Sequence, residues 1–250
     1  MIKIIFLGTN GWYSTQTGDT VSTLIDARDC YIILDAGNGI RNVDKYIDKY
    51  KPVYLFLSHL HIDHIVGLHT LNKFSFPKAL TVCCYYKDRQ SLEKIFAQPF
   101  TIAPKDLPYK TDLFDLREGL FDGVFPFKVL VKKMIHSSSC LGFRFELEGK
   151  VISYCTDTGI CDGFYDLAKN ADLLITECSL KPGQKNTTWP HLNPQDAAKV
   201  AKDTNAKRLA LTHFDSFEYQ NMKDRNNAIK VAKEIFDNVL TISDGAEVCI

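Results

Sequence analysis

The sequence predicts an α/β protein, an αββα four-layer sandwich in which two sheets pack together and helices cover them on the outside. Strand-like and helix-like segments alternate along both halves of the chain, which is typical of layered α/β folds. Ligand-type side chains recur just after strand-like runs, so a site built from strand ends is expected. The length of 250 residues, with ordinary apolar and charged fractions, suits one domain over residues 1–250.

Composition narrows the classes of function. Basic and acidic residues balance at 30 each, so no whole-molecule field draws the protein to nucleic acid or membranes, although a local basic patch stays compatible. No apolar run is long enough to cross a bilayer, and residues 1–8 are too strand-like for a signal peptide. The eight cysteines form no C-x-x-C pair, so reduced thiols in the cytoplasm are expected, with cysteine-ligated metal as the weaker alternative.

The first segments of the chain alternate between extended runs and glycine-bearing turns. Gly8 and Gly11 permit a tight turn after the opening apolar run, because glycine tolerates backbone angles that other residues avoid. The predicted elements are, in order, a strand at 2–7, a hairpin of 20–26 with 30–34, a turn at 35–39 and a helix at 40–50.

The chain is organised around the next stretch, where three histidines and an aspartate fall within six residues in the pattern H-x-H-x-D-H. A β-branched and aromatic run at 53–57 precedes it and a helix-like run at 65–68 follows it. In extended backbone His59 and His61 point the same way, whereas Asp63 and His64 lie on the turn into the helix and face another direction. One short stretch can therefore serve two adjacent metal ions, and imidazole and carboxylate are ligands of zinc and similar divalent ions.

The remaining chain repeats the alternation of strands and helices. The segment at 98–118 has prolines and charged residues without clear period, so an irregular connection or a lid over the site is expected there. Asn193 and Pro194 have the residue types of an N-cap and first helical position. The predicted strands are 79–85, 123–135, 141–147, 151–155, 173–176, 208–211 and the C-terminal residues; the predicted helices are 71–76, 88–97, 163–170, 194–202 and 224–236.

Three further ligand-type residues follow strand-like runs: His136, Asp157 and His213. Each alone would be a weak signal, because such residues at strand ends are structural about half the time. Together with the H-x-H-x-D-H stretch they complete a dinuclear set.

This pattern resembles that of the metallo-β-lactamase superfamily, in its ribonuclease Z-like and armless phosphodiesterase branch, and implies the metallo-β-lactamase fold. The similarity extends to Gly8-Thr9, to Leu34-Asp35-Ala36-Gly37 and to residues 209–214. It implies two divalent ions, zinc being expected and manganese the alternative. One ion would be held by His59, His61 and His136, the other by Asp63, His64 and His213, with Asp157 bridging them.

The same resemblance suggests catalytic residues. Asp63, His191 and Glu177 are the candidates, with His191 matching a family histidine that is not a ligand and donates a proton or holds the phosphate. Glu177 would orient His191, and Asp35 would brace the metal loop by hydrogen bonds. A surface histidine beside a helix start is the alternative for His191. Trp12, Tyr13 and Trp189 are loop aromatics that suit either a pocket wall or packing.

The predicted function is a dinuclear metal-dependent hydrolase that cleaves small or cyclic phosphodiesters with a metal-bridging hydroxide. A ribonuclease Z-like enzyme that processes the 3′ end of transfer RNA is one alternative, but residues 136–157 leave no room for the gripping arm of that family. A non-catalytic metal-binding or carrier protein of the same fold is the other. The expected partner is a small-molecule phosphodiester, with RNA less favoured, no membrane, and a homodimer as an open option.

Overall fold

The computed structural model describes residues 1–76 and 78–250, and two seven-stranded sheets dominate it. The strands of the first half are β1 (Lys3–Gly8), β2 (Asn10–Gly11), β3 (Ser22–Asp26), β4 (Tyr31–Leu34), β5 (Val53–Phe56), β6 (Leu80–Tyr85) and β7 (Thr111–Leu116). Those of the second half are β8 (Gly119–Phe121), β9 (Lys128–Met134), β10 (Cys140–Leu147), β11 (Lys150–Cys155), β12 (Leu173–Glu177), β13 (Leu209–Thr212), β14 (Phe214–Asp215), β15 (Val239–Leu240) and β16 (Glu247–Cys249).

Short helices connect the strands and cover the outer faces of the sheets. The α-helices are α1 (Ile62–Ile65), α2 (Arg89–Ile95), α3 (Asp162–Ala168), α4 (Pro194–Asp203) and α5 (Met222–Lys233), and 3₁₀ helices span Asn38–Lys45, Val66–Lys73 and Pro104–Asp106. Asn193 caps α4 as predicted, its side chain accepting the N–H of Asp196. Among the residues described, none of these helices has the length and apolar character needed to span a membrane.

Both sheets mix parallel and antiparallel pairs. The first has the order β16-β1-β3-β4-β5-β6-β7 and is parallel from β4 to β7. The second has the order β15-β13-β12-β11-β10-β9-β8 and is parallel across β11, β12, β13 and β15. Since parallel strands end at one edge of a sheet, the loops that follow β11, β12 and β13 come together.

Three apolar cores define four layers, which confirms the predicted αββα sandwich. The inner faces of the two sheets share one core, in which Phe56 of β5 meets Phe143 and Phe145 of β10. A second core lies between the other face of the second sheet and helices α3 to α5. The third lies between the first sheet and its 3₁₀ and α-helices. The shared inner core joins both halves, and one domain over residues 1–250 stays a prediction.

Loops from the two halves are tied together at one end of the sandwich. The two-stranded ribbon pairs Phe214 of β14 with Asn10 of β2. The N–H of Leu141, on β10, donates to the carbonyl of Ser58, just before the histidine-rich stretch. These links hold loops that are distant in sequence against each other.

The predicted helix at 40–50 is wrong in type and in its end. The chain forms a 3₁₀ helix over Asn38–Lys45 instead, and Gly39 within it packs so closely on β1 that an added Cβ would lie 2.5 Å from the backbone nitrogen of Gly8. After it, the N–H groups of Asp48 and Lys49 donate to the Tyr31 hydroxyl rather than to helix carbonyls. The helix predicted at 71–76 is also too long at its end, since the observed 3₁₀ helix covers Val66–Lys73.

The expectation of an irregular connection at 98–118 is wrong for its last third, where β7 forms the edge of the first sheet. Asp112 and Asp115 are exposed on this edge strand, and aspartate is depleted in strands, which concealed the pattern. The rest of the segment packs on the outer core through Leu107 and Tyr109, whose hydroxyl donates to the carbonyl of Leu71. It therefore belongs to the outer layer, and a role as a lid stays a prediction.

Candidate metal centre

The predicted ligand residues gather where the loops of both sheets meet. The chain reaches the site from β5 with the H-x-H-x-D-H stretch, and α1 begins at Ile62 within that stretch. From the second sheet, His136 follows β9, Asp157 follows β11 and His213 follows β13. Six of the chain's seven histidines lie in or beside this cluster, and His69 lies apart from it, exposed on the 3₁₀ helix beyond it.

The side chains form two groups, and within each group the ligand atoms lie within 4.8 Å of one another. One group contains His59, His61, His136 and Asp157; the other contains Asp63, His64 and His213. All seven predicted ligands are thus brought together in the predicted grouping. Their binding of metal stays a prediction.

Asp157 lies between the two groups. Its Oδ2 atom is 3.7 Å from Nε2 of His59 and 3.6 Å from Nε2 of His136, on the first side. On the second side, Oδ2 is 3.4 Å from Nε2 of His64, and Oδ1 is 3.2 Å from Nε2 of His213. One carboxylate therefore faces both groups, which is the position of a bridging ligand.

The backbone is strained at the residues that build this cluster. Asp35, Asp157 and His213 have φ values of 58°, 50° and 48°, in the left-handed region that non-glycine residues seldom adopt. Each such residue costs roughly 1–3 kcal/mol and persists only where its surroundings enforce it. Gly11 contributes to this enforcement by its lack of a side chain, because a Cβ there would lie 2.5 Å from the imidazole of His213.

Asp35 is the hydrogen-bonding centre beneath the ligands, in agreement with its expected bracing role. Its Oδ1 accepts the N–H of Ser58 at 2.7 Å. Its Oδ2 accepts the hydroxyls of Ser58 at 2.9 Å and Tyr154 at 2.7 Å, and lies 2.9 Å from Nδ1 of His64. This fully buried carboxylate orients His64 with its Nε2 toward Asp157.

Two serines position further imidazoles, and sequence reasoning missed both roles. The Ser58 hydroxyl lies 3.0 Å from Nδ1 of His59, and that of Ser179 lies 3.0 Å from Nδ1 of His213. Ser179 also donates to the carbonyl of His213. A single serine after a strand has no distinguishing pattern, so only the folded loops identify these two.

Burial and charge set the protonation of the cluster. Burial lowers the pKa of His59 and His61, and lowers that of His136 to about 4, so these rings are neutral at pH 7. For His64, burial opposes the charge, but the carboxylates of Asp157, Asp63 and Asp35 outweigh it and raise the pKa. The three neutral rings of the first group each carry a lone pair, and this is the form of imidazole that binds divalent metals.

The ligand-type side chains do not satisfy one another fully by hydrogen bonds, which suits a site that binds metal ions. Nε2 of His59, the ring nitrogen that faces Asp157, is buried without any hydrogen-bond partner in the described part of the chain. Unpartnered buried nitrogen is costly in a folded protein, and a bound cation would satisfy it. The set consists of imidazole nitrogen and carboxylate oxygen, which suits zinc and related ions.

His191 and Glu177 form a pair beside the two groups. Nδ1 of His191 lies 2.8 Å from Oε1 of Glu177, which also accepts the N–H of Thr158 at 2.7 Å. The ring centroid of His191 is 5.2 Å from that of His136. Burial opposes the charge of His191, but the buried Glu177 carboxylate outweighs it and raises the pKa to about 9. The imidazolium is therefore the form present near neutral pH, and it can pass its proton to a more strongly basic group.

An apolar cavity of about 350 Å³ opens beside the cluster. It is lined by Trp12, His61, Ile62, Asp63 and Trp189. Two of the three loop aromatics that the sequence singled out thus face the site, whereas Tyr13 is not part of this lining.

Comparison with known proteins places these features in context. The model of the beta-lactamase superfamily domain matches residues 31–214, the greater part of the chain. The chain is 26% identical over 249 residues to YhfI of Bacillus subtilis, a probable metallo-hydrolase, with 97% of each chain covered. It is 28% identical over 282 positions to ribonuclease Z of Sulfolobus acidocaldarius, with 95% of this chain and 94% of that protein covered.

Solved structures show the same fold. The metallo-β-lactamase fold protein YhfI superposes with a TM-score of 0.81 at 25% identity, covering 99% of this chain and 98% of that chain. Human tRNase Z, short form, gives 0.77 at 23% identity, with 99% of each chain covered. Zinc-bound PqqB from Methylobacterium extorquens gives 0.73 at 14% identity, covering 99% of this chain and 100% of that chain.

The contacts of Asp35 predict a large loss of stability when its carboxylate is removed. Asp35→Ala should lower the free energy of unfolding by roughly 3–5 kcal/mol, because it leaves His64 and three other buried donors without their acceptor. Tyr154→Phe, the matched control, removes one of those donors and should cost only about 0.5–1.5 kcal/mol. Urea denaturation at one fixed metal concentration measures both. Equal losses for the two variants would show that Asp35 does not hold the cluster together.

Proposed function

The chain belongs to the β-lactamase superfamily and is a metal-dependent hydrolase, and we propose that it uses two divalent ions to cleave small or cyclic phosphodiesters. Zinc is the expected ion and manganese the alternative. The observation that carries the proposal is the position of Asp157, whose carboxylate faces both ligand groups at 3.2–3.7 Å. A pair of ions in such a site supplies Lewis acidity, which activates water and stabilises charge that develops on the attacked group.

The residues of the chain contribute orientation and a proton. Asp63 accepts the N–H of Trp12 at 2.8 Å and lies 3.2 Å from Nε2 of His213, so its carboxylate is fixed within the second group. Its proposed role is that of a ligand. His191 lies outside both groups, and Glu177 holds its Nδ1, so Nε2 is the ring nitrogen left to donate a proton.

The His191–Glu177 pair favours a phosphodiester over a thioester, whose thiolate leaves without a proton. An alkoxide leaving group from phosphorus needs a proton, and a charged imidazole is well suited to supply it. Glu177 is fully buried and accepts backbone N–H groups from Thr158 and Ser179, which keeps the carboxylate in place under the imidazole. A surface histidine with no function would not need this buried partner, which supports a catalytic role over the alternative.

Maturation of transfer RNA is the second candidate, and similarity to ribonuclease Z favours it. Two observations weigh against it. Residues 136–157 form the plain β10–β11 hairpin, with no room for a gripping arm. The alignment with the Sulfolobus enzyme extends over 282 positions against the 250 residues of this chain, so that enzyme contains segments that have no counterpart here.

A non-catalytic carrier of the same fold is the third candidate, and the likeness to PqqB gives it a basis in fold alone. The full set of seven ligand-type residues favours an enzyme, because a carrier has no need for a bridging carboxylate together with a proton donor. RNA as a partner, a homodimer and a cytoplasmic location stay predictions.

The bridging position of Asp157 predicts that its loss affects both ions. Asp157→Ala should reduce the bound divalent metal from near two ions per chain to one or fewer, because each side of the site loses a ligand. Elemental analysis of protein purified without chelator measures the content. Asp166→Ala is the control, since that aspartate is exposed on α3 and pairs with Lys132, away from the ligand groups. Retention of two ions by Asp157→Ala would refute the bridging role.

His191 should behave differently from the ligands. His191→Ala should keep its metal while kcat falls by roughly 10²–10⁴, as expected for a lost general acid. The loss should shrink for bis-nitrophenyl phosphate, whose nitrophenolate leaves without a proton. Steady-state kinetics on both an alkyl and a nitrophenyl diester provide the comparison. Loss of metal in His191→Ala would place the residue among the ligands and contradict its assignment.

The substrate class can be tested with the unmodified protein. We expect zinc- or manganese-dependent cleavage of bis-nitrophenyl phosphate and of a cyclic phosphodiester, with little processing of a precursor transfer RNA. The physical reason is the balanced charge of the chain, because gripping RNA at physiological salt takes a cluster of phosphate contacts. Efficient, site-specific removal of a 3′ trailer at that salt would establish the ribonuclease instead.

A further inference from the structure

Both tryptophans of the chain lie at the cavity beside the metal centre. Trp12 and Trp189 line it together with Ile62 and two ligand-type residues, His61 and Asp63. The side chains of Trp12 and Ile62 are 65% and 71% exposed, and that of Trp189 is 41% exposed. A group held between these surfaces would be in direct contact with the site, since two of the five lining residues belong to the ligand groups.

Trp12 is displayed by a strained backbone. Its φ is 73°, a value that is rare for a bulky residue. The indole is exposed, so its burial does not offset the energetic cost of this conformation. Hydrogen bonds hold it instead: its N–H donates to Oδ2 of Asp63 at 2.8 Å, and the next residue is held by Asn10 and Ser216 through the carbonyl of Tyr13. The loop is thus built to present an exposed indole at the metal centre.

Trp189 is displayed by the loop that also carries His191. The side chain of Asn186 accepts the backbone N–H groups of Thr188 and Trp189, which shapes the loop. The indole stacks beside His61, with centroids 5.8 Å apart and an interplanar angle of 27°, and meets His136 edge-on at 6.0 Å. One short segment therefore supplies both an aromatic surface and the candidate proton donor.

We propose that Trp12 and Trp189 form a ring-binding subsite that takes the nucleobase of the substrate, so that the natural substrates are nucleoside phosphodiesters. This inference rests on the proposed phosphodiesterase function and narrows it. The faces of tryptophan stack well on planar aromatic rings, and such stacking is largely independent of base identity. A volume of about 350 Å³ is at the small end for ligand pockets, which fits one base with its sugar.

The charge of the lining distinguishes the base from other parts of a nucleotide. Lysine and arginine are missing from the five lining residues, and Asp63 contributes a carboxylate. A second phosphate would be repelled here, whereas a neutral base would bury apolar surface. The subsite therefore favours a mononucleotide or cyclic mononucleotide over a longer strand that continues through the cavity.

Binding can be measured without turnover, because the two tryptophans at the subsite are the chain's only tryptophan fluorophores. Adenosine monophosphate should quench the fluorescence of the zinc-loaded protein, and ribose 5-phosphate, which lacks the base, should not. Trp12→Gly removes the indole while suiting the positive φ and keeping the N–H bond to Asp63. It should weaken adenosine monophosphate binding roughly 5- to 150-fold, with Trp189 as the remaining reporter.

Two further variants control for the loss of an aromatic group. Trp12→Phe retains a stacking face and should bind nearly as well as the unmodified protein. Phe100→Ala removes an equally exposed aromatic from the segment after α2 and should change nothing. Equal affinity of Trp12→Gly and the unmodified protein, or equal quenching by ribose 5-phosphate, would overturn the proposal.

Turnover distinguishes this inference from the proposed function. The value of kcat/KM should be higher for 2′,3′-cyclic adenosine monophosphate than for glycerol 1,2-cyclic phosphate, and Trp12→Gly should remove most of the difference. Equal cleavage of the two by the unmodified protein would overturn the subsite while supporting the phosphodiesterase. Base-dependent quenching that is lost in Trp12→Gly, without cleavage of either compound, would support the subsite and count against the phosphodiesterase.

Discussion

The structure depends on one buried carboxylate, that of Asp157, surrounded by imidazoles from both halves of the chain. His59 and His64 approach it from the loop after β5, and His136 and His213 approach it from the second sheet. A carboxylate removed from water at this depth is stable only with positive charge or donors around it. The loops of the two sheets must therefore meet at this end of the sandwich.

Holding these loops together has a cost that the fold must offset. Three residues at the cluster adopt left-handed backbone angles, and Nε2 of His59 remains unpartnered in the described protein. Burial in the aromatic core between the sheets, where Phe56, Phe143 and Phe145 are fully buried, contributes to this offset. The rigid strands thus hold ligand residues in backbone conformations that these residues would not adopt by local preference.

Sequence reasoning predicted most of the longer strands and the histidine-rich loop because these depend on local pattern, and the resemblance to a known family supplied the layers and the full set of seven residues. Apolar runs mark strands, and H-x-H-x-D-H marks the loop after one of them. Its failures were features set by distant contacts. The helix expected at 40–50 is shortened because Tyr31 takes its N–H groups, and the Asp-bearing β7 is a strand because β6 pairs with it. The roles of Ser179 and Tyr154, and the cavity between the two tryptophans, exist only once the chain is folded.

The account rests on two ions that share Asp157, and anomalous X-ray diffraction at the zinc absorption edge tests this most directly. Crystals of zinc-loaded protein should show two peaks, one among His59, His61 and His136 and one among Asp63, His64 and His213. The carboxylate of Asp157 should contact both. A single peak, or peaks away from these residues, would contradict the account.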